Sequence, residues 1–317
     1  MVYQHLRVAE KLDAISNTTY LSLIAGGKAL GACCLIPRKF TSASKSFEAY
    51  YIRYFSFRQS LRASSNSQQR LTHKKSSLRT EIKATLAGDG LEIKDPLCFA
   101  YVDESNIRSK AIIDSFGFRK VGSFHTIFFS RMAPRMDRNV SRLDPESLSG
   151  FKVKIAEYYG DHSFVCLDNI GFEGGTLIYK KDGVILAGLQ AHKEHWRVDE
   201  LPSNKHLITI ISKIPFLNLI FQRDFKFLSI EGFFCEPGYE HTLEPLIESA
   251  LVLNGRNTAI ACADPKSPYY DQLSAIDGGM IRYFTKEKEI ALVARGREEL
   301  LDEISEKPIY VSGFDNM

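Results

Sequence analysis

The sequence predicts an α/β protein with two domains of similar size, each a mixed, mostly antiparallel sheet flanked by helices. The chain has 317 residues, about twice the length of a common domain. Short apolar runs typical of strands alternate with amphipathic stretches typical of helices, and turn signals separate them. The order strand hairpin, strand, helix, strand, helix, strand occurs in each half, which indicates one long internal repeat.

The composition is that of an ordinary globular protein, with 44% hydrophobic and 25% charged residues. Collagen-like, disordered and disulfide-rich scaffolds are therefore excluded. No apolar run reaches the length of about 18 residues that a membrane helix needs, and the N-terminus lacks the apolar core of a signal peptide. We therefore expect a cytoplasmic protein without a membrane span.

The cysteines form no C-x-x-C pair and lie mostly in apolar runs. We expect buried free thiols rather than a zinc site or a disulfide framework. The six are Cys33, Cys34, Cys98, Cys166, Cys235 and Cys262.

The net charge of +3 is unevenly divided. Residues 1–150 carry 23 Lys and Arg against 13 Asp and Glu, a net charge of +10, and residues 151–317 carry 18 against 25, a net charge of −7. This division favours either a site for an anionic ligand in the first half or two domains that attract each other.

In the first half, apolar spacing predicts a helix at the N-terminus, and Gly26-Gly27-Lys28 predicts a tight turn between two strands. The predicted elements in order are a helix over 1–17, strands over 20–25, 29–37 and 47–57, a helix over 78–87, a strand over 97–102, a helix over 106–116 and a strand over 121–131. Residues 58–77 are polar and cationic, which predicts a loop.

The charged segment 132–149 contains two prolines and is predicted to be a linker, which gives domains 1–131 and 150–317. In the second half, Asp182-Gly183 between apolar runs predicts a hairpin. The predicted elements are strands over 151–158, 175–180 and 184–191, a helix over 207–221, a strand over 226–234, a helix over 242–253, a strand over 258–263, a helix over 267–276, and a final hairpin of strands over 280–285 and 289–295.

The most informative motif lies at residues 106–122. A capped helix ends at Gly117, a phenylalanine follows, and the chain enters a strand. Such a helix–glycine–strand junction also occurs without any function in many α/β domains.

In residue type and spacing, the motif resembles the GNAT superfamily of acyl-CoA-dependent N-acyltransferases. The matching residues are Asn106, Ser109, Gly117, Phe118 and Gly122. In that family the Asn and the small residue lie beside the pantetheine arm of coenzyme A. The resemblance implies acyl transfer, with acetyl-CoA or another acyl-CoA as co-substrate, to a small-molecule amine of unknown identity. It also implies a tandem pair of such domains, of which the first is N-terminally short.

Two features of the first half depart from the family. The family's phosphate-binding loop is rich in glycine, whereas residues 58–77 contain none. Arg58 and Arg62 are therefore candidates for binding the cofactor phosphates through side chains, since guanidinium groups suit bidentate phosphate contacts, although a solvated loop is an equal alternative. Ile113 stands where many members have a tyrosine that protonates the leaving thiolate, so the acid lies elsewhere or is water.

The second half offers weaker candidates. Gly238 matches the first glycine of the phosphate loop, although nearby glutamates would repel a pyrophosphate. Glu231 lies where the family often places a general base, and Tyr269 and Tyr270 are candidate general acids, with half-buried packing as the alternative.

Other functions receive less support. His192 and His195 follow a strand and lack the helical spacing of a metalloprotease site, so no metal is predicted. The aromatic strand over 47–57 is better explained as core than as a platform for nucleic acid. Two alternatives to an acetyltransferase stay open: a degenerate tandem protein that binds a ligand or partner without turnover, and an acyltransferase for a long-chain or lipid substrate whose acyl tunnel is lined by residues 207–221.

Overall fold

The computed structural model describes residues 2–15, 17–25, 27–42, 45–57, 80–200, 223–283, 285 and 288–316. The strands are β1 (Val2–His5), β2 (Thr19–Ala25), β3 (Lys28–Ser42), β4 (Lys45–Phe57), β5 (Leu97–Asp103), β6 (Arg119–Ser130), β7 (Val140–Arg142), β8 (Thr176–Lys181), β9 (Val184–Glu200), β10 (Asp224–Cys235), β11 (Thr258–Ala263) and β12 (Glu289–Arg295). The helices are α1 (Val8–Asp13), α2 (Ile107–Ser115), α3 (Leu148–Tyr158), α4 (Leu243–Asn254), α5 (Pro268–Ala275), α6 (Glu298–Ser305) and α7 (Gly313–Asn316). Residues 80–86 are also helical.

Among the described residues, one twelve-stranded sheet runs through both halves of the chain. Its order is β2-β3-β4-β5-β12-β6-β11-β10-β9-β8-β7, and β1 pairs with β9. The two halves exchange strands, because β12 of the second half lies antiparallel between β5 and β6, while β6 of the first half pairs with β11. Each half therefore completes the sheet of the other. The predicted limits of two separate domains, 1–131 and 150–317, stay a prediction.

The internal repeat is visible in local geometry. The strand pairs β4–β5 and β10–β11 are both parallel. After β5, Asn106 N–H donates to the Asp103 carbonyl at 2.8 Å, and after β11, Ser267 N–H donates to the Asp264 carbonyl, also at 2.8 Å. In each turn the aspartate Oδ1 also accepts from the N–H two residues further on, at 2.9 and 2.8 Å. Ser267 is thus the counterpart of Asn106 at the start of the corresponding helix.

The sheet is covered by hydrophobic clusters on both faces. The central cluster joins the halves, since it contains Tyr51 and Phe99 of the first half and Phe227 of the second. Trp196 packs edge-on against Phe227 with the ring centroids 5.0 Å apart. Burial of each large side chain of this kind stabilises the fold by about 1.5–3 kcal/mol.

One predicted strand is a helix. Residues 151–158 were expected to alternate as a half-buried strand, but they form most of α3. Phe151 and Ile155 are four residues apart and buried, whereas Val153, which the alternation would also place inside, is 56% exposed. The short apolar run fits the periodicity of a strand and that of a helix, and packing against the sheet favours the helix.

The N-terminus and the predicted final hairpin also differ from the prediction. Instead of one helix over 1–17, residues 2–5 form β1, which pairs with an otherwise unpaired edge of β9. Of the described residues in this segment, Val8–Asp13 are helical. Residues 280–283 form a 3-10 helix rather than a strand. Strand β12 pairs with β5 and β6 instead of forming a hairpin, and no pattern in the sequence indicates these partners.

The remaining predicted elements that the structure describes agree in type, whereas α6 and α7 were not predicted. The hairpin at Asp182-Gly183 and the helix that follows Asn106 are present, and all six cysteines are free and buried. Within the predicted linker, Val140–Arg142 forms an edge strand on β8, and α3 begins at its end. The loop over 58–77 and the helix over 207–221 lie outside the described residues. Among the helices that the structure describes, none is long and apolar enough to cross a membrane.

Candidate functional site

A cleft opens where β4 and β5 diverge. Their parallel pairing ends at Tyr51 and Phe99, although both strands continue beyond these residues. A cavity of about 510 Å³ lies at the divergence, bounded by both strands, by α2 and by the helical residues 80–86. A splay of this kind between parallel strands is a natural site for a ligand, because the strand edges leave backbone groups unpaired.

The cavity wall is mainly apolar. Its aliphatic and aromatic lining includes Leu21, Leu35, Ile52, Ile82, Leu86, Ile113 and Phe118. Arg53, Tyr54, Asn106 and Ser109 supply polar atoms. Such a lining fits a ligand with a long neutral stem and a few polar groups.

Two of the predicted cofactor residues, Asn106 and Ser109, both line this cavity. Asn106 is the N-cap of α2, and its Oδ1 accepts a hydrogen bond from Ser109 N–H at 3.1 Å. The cap holds the start of α2 at the mouth of the cleft, where the helix dipole favours negatively charged groups. The structure thus brings these two residues to one cleft, and their contact with a cofactor stays a prediction.

A β-bulge in β4 lies beside the cavity. Ala32 of β3 is opposite Ser56, but Cys34 is opposite Arg53, so β4 contains one extra residue. At this point Tyr54 has a φ of 57°, which is unusual for any residue other than glycine. A bulge leaves its extra residue out of the ladder, here the ladder between β3 and β4.

The second half has the same bulge but not the same cleft. On β10, Glu231 is opposite Gln190 and Phe234 is opposite Gly188, so the extra residue falls at Gly232, which has a φ of 59°. The parallel pairing of β10 with β11 ends just before this bulge. Strands β4 and β10 therefore carry equivalent β-bulges.

Aromatic side chains fill the second splay. The Tyr159 ring lies 5.0 Å from the Tyr269 ring and 4.8 Å from the Tyr310 ring, centroid to centroid. All three side chains are at most 4% exposed, and burial raises the pKa of each hydroxyl. At Gly232 an added Cβ would lie 2.7 Å from Ile170 Cδ1. The cleft of the second half is thus packed as core.

Because of this packing, adding one methyl group at Gly232 should cost more stability than adding one at a glycine with open space around it. Gly232→Ala must adopt a left-handed φ, which costs about 1–2 kcal/mol, and must also displace Ile170, which adds about 1–3 kcal/mol. Gly183→Ala is the matched control, because Gly183 also has a left-handed φ but no atom lies within 4 Å of an added Cβ. Urea unfolding should show the larger loss of stability for Gly232→Ala. Equal losses would show that the second cleft has room.

The predicted catalytic residues lie away from the open cavity. Glu231 is 2% exposed, and its Oε1 is 2.6 Å from His192 Nε2. Tyr269 belongs to the aromatic cluster of the second splay, and Tyr270 Oη lies 3.2 Å from His125 Nδ1. None of the three is among the described residues that line the cavity, and their catalytic roles stay predictions.

Of the predicted phosphate-binding residues, the structure describes Gly238, and it lies away from the cavity. Gly238 lies in an exposed turn after β10, where its N–H donates to Glu240 Oε1 at 3.0 Å. A carboxylate of the same turn thus occupies the donor that a phosphate would use. Arg58 and Arg62 lie outside the described residues.

A buried C-terminal segment, which no pattern in the sequence indicates, lies next to the cavity wall. Arg38 of β3 forms a buried ion pair with Asp315 of α7, with Nε 3.0 Å from Oδ2. Tyr51 Oη donates to the Asp315 carbonyl at 3.1 Å, and Lys11 Nζ donates to the Phe314 carbonyl at 3.0 Å. The segment 313–316 is therefore fixed to a residue that lines the cavity.

Comparisons with known proteins agree with this fold. No protein-family model and no curated protein matches the sequence. Among solved structures, Saccharomyces cerevisiae N-myristoyltransferase with bound myristoyl-CoA aligns with a TM-score of 0.53 and 11% identity over 86% of this chain and 68% of that chain. A conserved protein of unknown function from Enterococcus faecalis V583, described as a probable N-acyltransferase, aligns with a TM-score of 0.51 and 10% identity over 93% of this chain and 67% of that chain.

The chain therefore has the mixed α/β fold of the GNAT-like N-acyltransferases. This confirms the fold class and the resemblance inferred from the motif that begins at Asn106. At these identities the likeness concerns the fold alone.

Proposed function

We propose that the protein is an N-acyltransferase that binds acyl-CoA in the open splay of its first half and transfers the acyl group to an amine. The observation that carries this proposal is the difference between the two splays. One holds a cavity of about 510 Å³ at the capped start of α2, and the other is filled by three tyrosines.

The cleft contains the groups that thioester aminolysis needs. The apolar walls suit the pantetheine stem, and Asn106 and Ser109 can hydrogen-bond to its amides. We propose that a backbone N–H of the bulge at Tyr54 polarises the thioester carbonyl and stabilises the oxyanion that forms on it. We propose Arg58 and Arg62 as phosphate contacts on the charge of their segment alone.

The acceptor is proposed to be a cationic amine. The second half has a net charge of −7, which would attract such a substrate, and this half would complete the acceptor side of the cleft. The amine must lose a proton when it attacks, and a carboxylate or water would accept that proton. Glu231 is one candidate, although its side chain is buried and its Oε1 lies 2.6 Å from His192 Nε2.

The acyl group is either acetyl or a longer chain. Acetyl is the expectation from the resemblance, whereas the aliphatic lining contributed by residues such as Leu35, Ile82 and Leu86 favours a longer chain. Each methylene group buried in an apolar wall contributes about 0.8 kcal/mol, which is roughly a fourfold gain in affinity.

Calorimetric titration with acetyl-, butyryl-, octanoyl- and myristoyl-CoA distinguishes these cases. If the cavity accepts the acyl chain, Kd should fall about fourfold per methylene group until the cavity is full. A Kd independent of chain length indicates acetyl. Thiol release in the presence of a panel of primary amines then tests turnover. Binding without turnover on any amine would favour a non-catalytic protein, and absence of binding to every acyl-CoA would refute the proposal.

A further inference from the structure

Among the described residues that line the cavity between β4 and β5, Arg53 is the one charged side chain. It is half-buried. Partial burial strengthens the attraction between its guanidinium and an anion, because less water and salt screen the charge. Neither an apolar stem nor a thioester needs a cation, so Arg53 indicates a further, negatively charged group on the ligand.

Arg53 lies on the face of the sheet away from α2. Successive residues of a strand point to opposite faces. Ile52 packs in the cluster that contains Ile113 of α2, whereas Tyr51 packs in the central cluster on the other face. Cys34, which is opposite Arg53 on β3, also belongs to the central cluster. A ligand group that contacts Arg53 has therefore passed through the splay from the side of α2.

Two buried ion pairs lie on the same side of the splay as Arg53. Glu194 is paired with Lys11, whose pKa the charge of Arg53 helps to lower after the larger effect of burial. Asp315 is paired with Arg38, next to the hydroxyl of a cavity tyrosine on β4. The charges within each pair balance, so these pairs add no net charge beside Arg53.

The positive charge of Arg53 also acts on a neighbouring histidine. Burial lowers the pKa of His5 to about 4, with smaller contributions from the charges of Arg53 and Lys11. His5 is therefore neutral at pH 7 and does not compete for an anion. The two longest stretches outside the described residues, 58–79 and 201–222, contain no Asp or Glu, so neither can bring a carboxylate side chain to the cleft.

The bulge in β4 holds the guanidinium in place. The central carbon of the Arg53 guanidinium lies 4.8 Å from the centre of the Tyr54 ring, a cation–π contact. Tyr54 is the residue of the bulge with a φ of 57°, and bulges change the direction of side chains next to binding sites. A guanidinium held through the face of a ring can still donate hydrogen bonds in its own plane.

We propose that Arg53 binds a carboxylate of the substrate, on the side of the splay away from α2. This inference rests on the proposed function, since it needs acyl transfer in the first splay. The planar guanidinium can donate two parallel hydrogen bonds to a carboxylate, which fixes the position of the group that carries it. Arg53 is therefore a specificity-determining residue, which selects a substrate with a carboxylate at this place over an uncharged analogue.

The carboxylate can belong to either reactant. A dicarboxylic acyl group, such as succinyl, carries one beyond the thioester carbon. An acceptor such as an α-amino acid carries one beside its amine, and its ammonium group suits the acidic second half. The phosphates of coenzyme A are a poorer match, because Asn106 and Ser109, the proposed contacts of the cofactor, lie at the start of α2 on the other face.

Calorimetric titration with succinyl-CoA and butyryl-CoA tests the acyl group as the source. The two acyl groups have the same number of carbons, and succinyl alone has a terminal carboxylate. If the acyl group supplies the carboxylate, the wild type should bind succinyl-CoA about 10–100-fold more tightly, as expected for hydrogen bonds between charged groups. Arg53→Met should lose this preference and keep the wild-type Kd for acetyl-CoA.

Thiol release from acetyl-CoA tests the acceptor as the source. A panel of α-amino acids is compared with the amines that lack only the α-carboxylate. If the acceptor supplies the carboxylate, KM should be about 10–100-fold lower for an amino acid than for its matched amine. Arg53→Met should raise the KM of the amino acid to that of the amine and leave the kinetics of the amine unchanged.

Arg119→Met is the matched control for both measurements. It also removes one positive charge, from an arginine at the surface and outside the cavity lining, so it should keep every preference of the wild type. Absence of a carboxylate preference in both measurements on the wild type would overturn the proposal. A preference that survives in Arg53→Met, or an equal loss of acetyl-CoA and succinyl-CoA binding, would do the same. Failure of the wild type to bind any acyl-CoA would instead refute the proposed function itself.

Discussion

Ser109→Tyr should abolish tight binding of acyl-CoA. Ser109 lies in the first turn of α2 and lines the open cavity, so a phenol ring at this position would occupy the space of the pantetheine stem. Overpacking costs about 1–3 kcal/mol, and 1.4 kcal/mol corresponds to a factor of ten, so Kd should rise by up to about 100-fold. The measurement is a calorimetric titration with the acyl-CoA that the wild type binds best.

Ser115→Tyr provides the control. It makes the same substitution on the same helix, but at an exposed position outside the cavity lining. Both variants should unfold at nearly the same urea concentration, and Ser115→Tyr should keep the wild-type Kd. If the two variants bind acyl-CoA equally well, the cavity at α2 is not the binding site.

The second large effect concerns the buried ion pair between Arg38 and Asp315. Their side chains are only 4% and 2% exposed, so Arg38→Ala would leave a carboxylate buried without its partner. Loss of one member of such a pair costs about 3–5 kcal/mol. Because α7 is held in part by this pair, the C-terminal segment should detach first, and hydrogen exchange should report faster exchange at residues 309–315.

A double variant distinguishes the cost of an unpaired buried charge from the cost of lost packing. The double variant Arg38→Met with Asp315→Leu has no buried charge and should recover most of the stability. Arg119→Ala is a surface control, because Arg119 is 37% exposed and Asp302, its partner, is 67% exposed, so it should cost at most about 1 kcal/mol. If Arg38→Ala and Arg119→Ala cost the same, the buried pair does not hold the C-terminal segment.

Elements with strong local signals could be predicted from the sequence. The Asp182-Gly183 turn supplies left-handed backbone at both positions, and the hairpin follows from it. The helix α2 has a capping residue at its start and Gly117 just after its end, with a φ of 79°. The short run at 151–158 lacked such signals, so its period was ambiguous and the strand prediction was wrong.

Features that depend on distant parts of the chain could not be predicted. Nothing in the sequence of β12 indicates that it inserts between two strands of the other half. The partners Arg38 and Asp315 are 277 positions apart, and each alone resembles an ordinary surface charge. Such pairings are decided by tertiary packing, which no local pattern encodes.

The candidate site was predicted in part. The motif led to Asn106 and Ser109, which share one cleft in the structure. The bulge at Tyr54 was missed, because in the sequence Tyr54 is one aromatic residue of an aromatic strand, and only its φ of 57° distinguishes it. The opposite charges of the two halves were visible, but the filling of the second splay depends on tyrosines from three separate segments.

The claim that the first half binds the cofactor is tested most directly by a crystal structure of the protein with coenzyme A. We expect electron density for the pantetheine arm between residues 52–54 and 100–102, beside Asn106. Coenzyme A bound instead at Gly238 and Ser267 of the second half, or a first splay that stays empty at saturating ligand, would contradict it.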